Sequence, residues 1–252
     1  MKPLQTIIFK FLKDTKLAVL DVFFPINCIG CGIEDVWICD MCIKKIKIRD
    51  QQFCPICEKI ITPDGQVCFA CKKISALTGM LVATSYQESI ISKAVHLFKY
   101  RFVQELHVQL SEIVSKAIQS YELPLPDLII PIPLHAKRLR WRGFNQSTLL
   151  ANDLARKLLP DSQLELRDDI LIRNRYTSPQ MAIKDHHARN LNIKGAFTVT
   201  DKSIIKDKKI LLIDDITTTG FTIFECASVL KAAGAKEIYA VVIARQEYKQ
   251  KS

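Results

Sequence analysis

Ile210-Leu211-Leu212-Ile213-Asp214-Asp215-Ile216-Thr217-Thr218-Thr219-Gly220-Phe221-Thr222 runs from an apolar segment through two adjacent carboxylates into a hydroxyl-rich turn. The apolar run after Lys208 and Lys209 reads as a central parallel strand, and open α/β sheets bind ligands at the carboxyl ends of such strands. Asp214 and Asp215 arrive there. Thr217 to Gly220 then offer hydroxyls and backbone N–H groups where a helix opens, a setting that suits a phosphate. Carboxylates repel phosphate, so the Asp pair is suited to accept hydrogen bonds from sugar hydroxyls or to hold a divalent cation. Ribose 5-phosphate with a free 2,3-diol satisfies both halves. The plainer reading, a buried strand ending in an Asp-rich turn with a Thr helix cap, explains neither the paired Asp nor three successive Thr before Gly.

Working outward, the chain from Gly79 alternates strands and helices, the pattern of an α/β domain. Strands are expected near 79–86, 127–132, 196–200, 209–214 and 237–243, and helices near 88–100, 103–120, 143–159 and 220–234. The segment Asp127 to Gln146 reads as a strand followed by a loop that holds Lys137, Arg138, Arg140 and Arg142 without an acid among them. Such a loop suits a multiply charged anion. A solvated basic loop is the bland alternative, and contact with nucleic acid through these cations and Trp141 is a third.

Eight of the nine cysteines form four Cys-x-x-Cys pairs, Cys28/Cys31, Cys39/Cys42, Cys54/Cys57 and Cys68/Cys71. A Cys-x-x-Cys turn points two thiolates at one tetrahedral metal, so four pairs imply two closed, structural zinc sites. Sequential pairing closes the shortest loops, giving a double zinc ribbon, while a cross-brace of first with third and second with fourth pair is the competitor. Iron–sulfur clusters use other spacings, disulfides do not suit a chain without an export signal, and a redox motif would sit beside a βαβ unit. Cys226 reads as an inert core residue.

The chain has 252 residues, 48% hydrophobic, with a net charge of +10, enough for a packed core and a preference for anionic partners. Lys10, Lys13, Asp14, Lys16 and Asp21 break the first apolar runs, so neither a secretory signal nor a stable membrane insertion is expected and the location is cytoplasmic. Leu4, Ile8, Phe11, Ala18 and Val22 are spaced as an amphipathic helix. The resulting domains are an N-terminal helix at 1–25, a double zinc ribbon at 26–75 and an α/β domain at 76–252.

The stretch 210–222 resembles the 13-residue signature of type I phosphoribosyltransferases, enzymes that use phosphoribosyl pyrophosphate (PRPP) with magnesium. The resemblance implies that Asp214 and Asp215 contact the ribose hydroxyls, and that Thr217, Thr218, Thr219, Gly220 and Thr222 cradle the 5-phosphate. It also places pyrophosphate against Leu134, His135, Lys137 and Arg138, and makes Arg173 to Arg189 a loop that closes over PRPP. Asp214, Asp215 and Arg189 are then the catalytic residues, with His186 and His187 as weaker acid–base candidates. Pro131-Ile-Pro-Leu-His135, Arg140-Trp-Arg-Gly-Phe-Asn-Gln146, Lys93 to Tyr100, and Arg189, Asn190, Gly195 and Phe197, together with the cysteine-rich start, resemble the ComF family (ComFC and GntX-like proteins). That family implies competence, DNA uptake and natural transformation.

Two functions follow as expectations. One is a phosphoribosyltransferase that transfers ribose 5-phosphate from Mg-PRPP to an unidentified acceptor. The other is a non-catalytic DNA-uptake adaptor whose zinc ribbons bind single-stranded DNA or a motor protein, with PRPP as a regulatory ligand.

Overall fold

The computed structural model describes residues 25–121, 123–158, 164–177 and 192–246. Outside them lie the expected N-terminal helix, except Pro25, and the closing loop beyond Thr177 with His186, His187 and Arg189. The division between two compact units falls between Lys45 and Ile46. In the first, Cys28, Cys31, Cys39 and Cys42 are gathered around a tight turn, with Gly32 at φ +80° and its N–H donating to the Cys28 carbonyl. Helix α1, Asp40–Lys45, starts inside the second cysteine pair.

The second unit carries a five-stranded sheet in the order β1, β7, β6, β2, β3, with every pairing parallel. The strands are β1 (Gly79–Ser85), β2 (Leu128–Pro131), β3 (Glu165–Leu166), β6 (Lys209–Thr217) and β7 (Glu237–Arg245). Short strands β4 (Leu171–Arg173) and β5 (Phe197–Val199) pair antiparallel as a separate ribbon. Both faces of the parallel sheet are covered, which is why its central strands are apolar along their length rather than alternating. Leu128, Ile130, Ile210, Leu212, Ala240 and Val242 point to one face and pack with Ile223, Cys226, Ala227 and Leu230 of helix α7 (Phe221–Ala232). The helices α3 (Leu106–Gln119) and α5 (Gln146–Leu158) pack on each other, on β1 and on β6.

Helix α2 (Ser89–Tyr100) buries Ile91, Ala94, Val95 and Phe98, a stripe at i, i+3, i+4 and i+7 that fixes its face. Its end therefore delivers Lys99 toward β6. The cation-rich segment after β2, expected as a loop, is instead helix α4 (Ala136–Arg142). Ala, Lys, Arg and Leu are good helix formers, His135 caps the start by accepting from the Lys137 N–H, and Gly143 at φ +82° ends it. Helix α6 (Lys202–Ile205) is a single turn before β6.

Residues 46–75 run along β1, the open edge of the sheet. Buried Gln52 accepts from Val82 N and donates to Val82 O, both at 3.0 Å, and Arg49 N donates to Ala83 O. Gly65, at φ +70°, approaches so closely that a Cβ there would lie 2.1 Å from the Met80 carbonyl oxygen. Among the described residues no helix is long and apolar enough to cross a membrane.

Candidate functional site

A cavity of about 260 Å³ opens where β6 and β2 end. Thr217, Thr218, Thr219, Gly220 and Thr222 line it together. The turn is held from behind: Gln246 N donates to Thr217 O at 2.8 Å and Arg245 Nε to Thr218 O at 3.1 Å. Gly220 adopts φ +82°, which only glycine takes without strain, and passes its carbonyl to Phe224 N at 2.9 Å as the first helical bond of α7. The first N–H groups of that helix lie at the turn, where partial positive charge accumulates.

The two carboxylates differ. Asp215 is buried, and its Oδ1 accepts from Lys99 Nζ at 2.9 Å and from Ile216 N at 2.6 Å. Asp214 Oδ1 accepts from Ser147 Oγ and from Asp215 N, both at 2.9 Å. Although part of Asp214 reaches the cavity surface, burial among protein atoms and the neighbouring Asp215 charge push its pKa up to about 7, against the opposing pull of Lys99 and Ser147. The second oxygen of each carboxylate is left for a ligand among the described residues.

Cationic side chains make the opposite wall. Arg138, Arg142 and Arg173 line the cavity. Arg138 Nη2 donates to Thr177 O at 3.1 Å, Arg142 Nη1 to Gln146 Oε1 at 2.7 Å, and Arg173 Nη2 to Thr177 Oγ1. Burial lowers the pKa of Arg142, and lowers that of Arg173 to about 10 with the adjacent Arg138 charge adding to it; both remain cations at neutral pH. Among the described residues, Nε of Arg142 and Nε of Arg173 are buried without a hydrogen-bond partner. Leu134 also lines the cavity, whereas His135 and Lys137 do not. His135 serves as the α4 cap, and Lys137 Nζ lies 5.1 Å over the Tyr176 ring.

The cysteines fall into two sets of four, Cys28, Cys31, Cys39 and Cys42, and Cys54, Cys57, Cys68 and Cys71, with all ligand atoms of a set within 4.8 Å of one another. The pairing is thus sequential, not a cross-brace. Cys31 and Cys39 sulfurs are 3.6 Å apart and Cys57 and Cys68 sulfurs 3.9 Å. A tetrahedral zinc with about 2.3 Å bonds sets its sulfurs about 3.8 Å apart, so both sets fit the ion. Backbone N–H groups of Lys59 and Ile60 hold the Cys57 thiol down to about 6 against burial. The same knuckle chemistry acts on Cys28, where N–H groups of Cys39, Cys31 and Gly30 overcome burial and bring the thiol to about 6. In each set another thiol, Cys42 or Cys71, is pushed up to about 12 by burial and by the neighbouring cysteines, a crowding of sulfurs that a shared cation relieves.

Residues 145–252 match the family model of the phosphoribosyl transferase domain, and residues 19–72 match the double zinc ribbon domain. Competence protein F of Haemophilus influenzae is 28% identical over 233 residues, spanning 88% of this chain and 98% of that protein. The DNA utilization protein YhgH of Salmonella typhi is 30% identical over 211 residues, 80% of this chain and 87% of its own length. The chain belongs to the ComF family. Glutamine PRPP amidotransferase from B. subtilis aligns with 54% of this chain and 26% of its own at 16% identity and a TM-score of 0.36, too loose a likeness to bear on function.

Several cavity groups of this ComF family chain are not legible from local sequence. Lys99 and Ser147 grip the carboxylates from α2 and α5. Only the position of Lys99 one residue beyond the buried stripe ending at Phe98 hints at its direction. Nothing local marks Arg245, 27 residues beyond the turn that it supports.

Proposed function

We propose that this protein binds Mg-PRPP in the cavity and transfers its ribose 5-phosphate to an acceptor, in the service of DNA uptake. One observation carries the reading: a single cavity is lined by a carboxylate pair, a hydroxyl-rich helix start and the guanidinium groups of Arg138, Arg142 and Arg173. The 5-phosphate would take the N–H groups and hydroxyls of Thr217 to Thr222. Asp214 and Asp215, each with one oxygen unengaged, would accept from the ribose 2- and 3-hydroxyls. Pyrophosphate would face Leu134, Arg138, Arg142 and Arg173, which stabilise the leaving group as its bond to the anomeric carbon stretches. Arg189, outside the described residues, is the further candidate for that charge.

The same carboxylate oxygens are hard donors of the kind magnesium accepts, alongside water and substrate phosphates. The ion would supply charge neutralisation on pyrophosphate. Competence and DNA uptake enter through the relatives named for them, competence protein F and the DNA utilization protein. A cytoplasmic site of action is part of the proposal, since PRPP is a cytoplasmic metabolite.

Calorimetry tests the site. Mg-PRPP should bind the zinc-loaded protein, and Asp214→Ala with Asp215→Ala should lose at least ~1.5 kcal/mol per charged contact, about tenfold or more in affinity. Equal affinity of the two proteins would sink the assignment. Pyrophosphate release on addition of candidate bases or nucleic acid then separates an enzyme from a PRPP-sensing adaptor.

A second reading rests on the surface of the second ribbon. Phe69 is 88% exposed and Ile74 79% exposed, with exposed Lys59, Lys72 and Lys73 nearby in the sequence, and Trp141 at the cavity lip is 62% exposed. Aromatic faces among cations suit single-stranded DNA. Fluorescence anisotropy with an oligonucleotide should show a salt slope of about −2 to −3 if three or four phosphates are neutralised. Phe69→Ala and Trp141→Ala should each weaken binding if bases stack there; no binding at low salt removes direct DNA contact.

A further inference from the structure

Three hydrogen bonds of one buried arginine join two places that the sequence keeps far apart. Arg245, 6% exposed at the end of β7, donates from Nε to Thr218 O at 3.1 Å and from Nη1 to Pro55 O at 3.1 Å, and Nη2 pairs with Glu58. Pro55 lies inside the knuckle Cys54-x-x-Cys57, and Glu58 follows it in the left-handed region at φ +57°, its N–H donating to Cys54 O at 2.9 Å. We infer that Arg245 ties the second zinc ribbon to the phosphate turn, so that metal occupancy of Cys54, Cys57, Cys68 and Cys71 and phosphate occupancy of Thr217–Gly220 support one another.

The link is geometric at both ends. A trans peptide points its C=O and N–H in opposite directions, so drawing the Thr218 carbonyl to Arg245 turns the Thr219 N–H to the other side of that peptide plane. Thr218 and Thr219 both line the cavity, and the orientation of this plane decides what the turn offers to an anion. At the far end, the positions of Pro55 O and Glu58 are set by the knuckle backbone. That backbone is held in shape by thiolates converging on one ion; the Cys54 sulfur also accepts from Cys68 N at 3.4 Å. With the knuckle slack, Pro55 O and Glu58 no longer fix the guanidinium, and its bond to Thr218 O shifts with it. Because binding linkage is reciprocal, a phosphate that fixes the turn also steadies the knuckle. Arg245 is in this sense a positioning residue, touching neither ligand.

The inference rests on the phosphate reading of the turn given under Proposed function. Full-length, zinc-loaded protein and ribose 5-phosphate serve as test materials, and calorimetry first establishes saturation. A chelator with iodoacetamide then labels each cysteine as its metal leaves, and mass spectrometry resolves the rate at each position. Saturating ribose 5-phosphate should slow labelling of Cys54, Cys57, Cys68 and Cys71 by roughly fivefold or more, the lower end of ordinary coupling between sites, and leave Cys28, Cys31, Cys39 and Cys42 unchanged. Arg245→Lys, which keeps the charge without the fork, should lose this protection. Glu58→Gln, which retains the Pro55 and Thr218 bonds, should lose only part of it.

Equal labelling with and without ligand in saturated protein overturns the linkage and leaves the phosphate site standing. Uniform slowing at all eight cysteines also overturns it, because that reports stabilisation of the whole chain. Absence of ribose 5-phosphate binding to the zinc-loaded wild type overturns the phosphate reading and the linkage together.

Discussion

The turn Thr217–Gly220 and the helix Ala136–Arg142 face the same cavity with different chemistry. The turn presents hydroxyls and backbone N–H groups, fixed by Gln246, Arg245 and the start of α7. The helix presents cations on long side chains, of which Arg138 and Arg142 reach the cavity while Lys137 and Arg140 stay exposed. Fixed dipoles need little reorganisation when an anion arrives, whereas exposed charges attract from a distance and are screened by salt. The turn should therefore decide where the phosphate sits, and the helix how strongly anions are drawn at a given ionic strength.

The comparison breaks most visibly at Gly220. Gly220→Val forces a β-branched residue to φ +82° and sets a Cβ 2.5 Å from the Phe224 ring. Left-handed strain and overpacking together should cost about 2–5 kcal/mol. Thermal unfolding should fall by ~2–4 °C per kcal/mol in a chain of this size, and Mg-PRPP affinity should be lost at every salt concentration. Unchanged affinity would mean that the turn is not the phosphate wall.

Arg138→Ala should cost a smaller amount, about 1.5 kcal/mol at low salt. Its signature is the salt dependence: calorimetry from about 0.05 to about 0.5 M salt should show the deficit shrinking, as screening weakens what the wild type had gained. A deficit independent of salt would transfer Arg138 to the fixed-dipole class.

A third effect concerns the carboxylates that line the same cavity. Asp214 is raised by burial and by Asp215, so the folded state holds a proton that the unfolded chain has released at the same pH. Its contribution to stability is thus complete at low pH and is lost as pH rises from the ordinary carboxylate range near 4 toward about 7. Asp214→Asn should flatten that decline in urea unfolding measured from pH 4.5 to 7.5. Ligand affinity should rise over the same interval, because only the ionised carboxylate accepts from both sugar hydroxyls. A pH profile identical in the Asn variant would remove Asp214 as its source.

What could be read from sequence follows the range of the forces involved. The strand, the Asp pair and the Thr turn are contiguous, and each residue announces its role through its neighbours. The cysteine pairs were equally plain, although sequence left their partners open between two arrangements that the folded chain decides. The basic segment reads as a loop by its charges, although Gly143 as a stop and His135 as a cap are both present in the sequence. Lys99, Ser147 and Arg245 are different. Each meets its partner across tens of residues or more, through the packing of an amphipathic helix or the register of a strand, and no local pattern encodes such a meeting.

Gln52 has a consequence for the fate of the protein in solution. Its side-chain amide occupies the hydrogen-bonding positions that a neighbouring strand would take on Val82, and Arg49 N and Lys47 O engage Ala83 and Thr84 beside it, so the outermost strand of the sheet is sealed by this one segment. An unsealed parallel edge is a template for another chain. Molecules whose ribbon has come apart would thus be recruited into strand-to-strand oligomers before the sheet itself unfolds, with light scattering rising ahead of the loss of secondary structure.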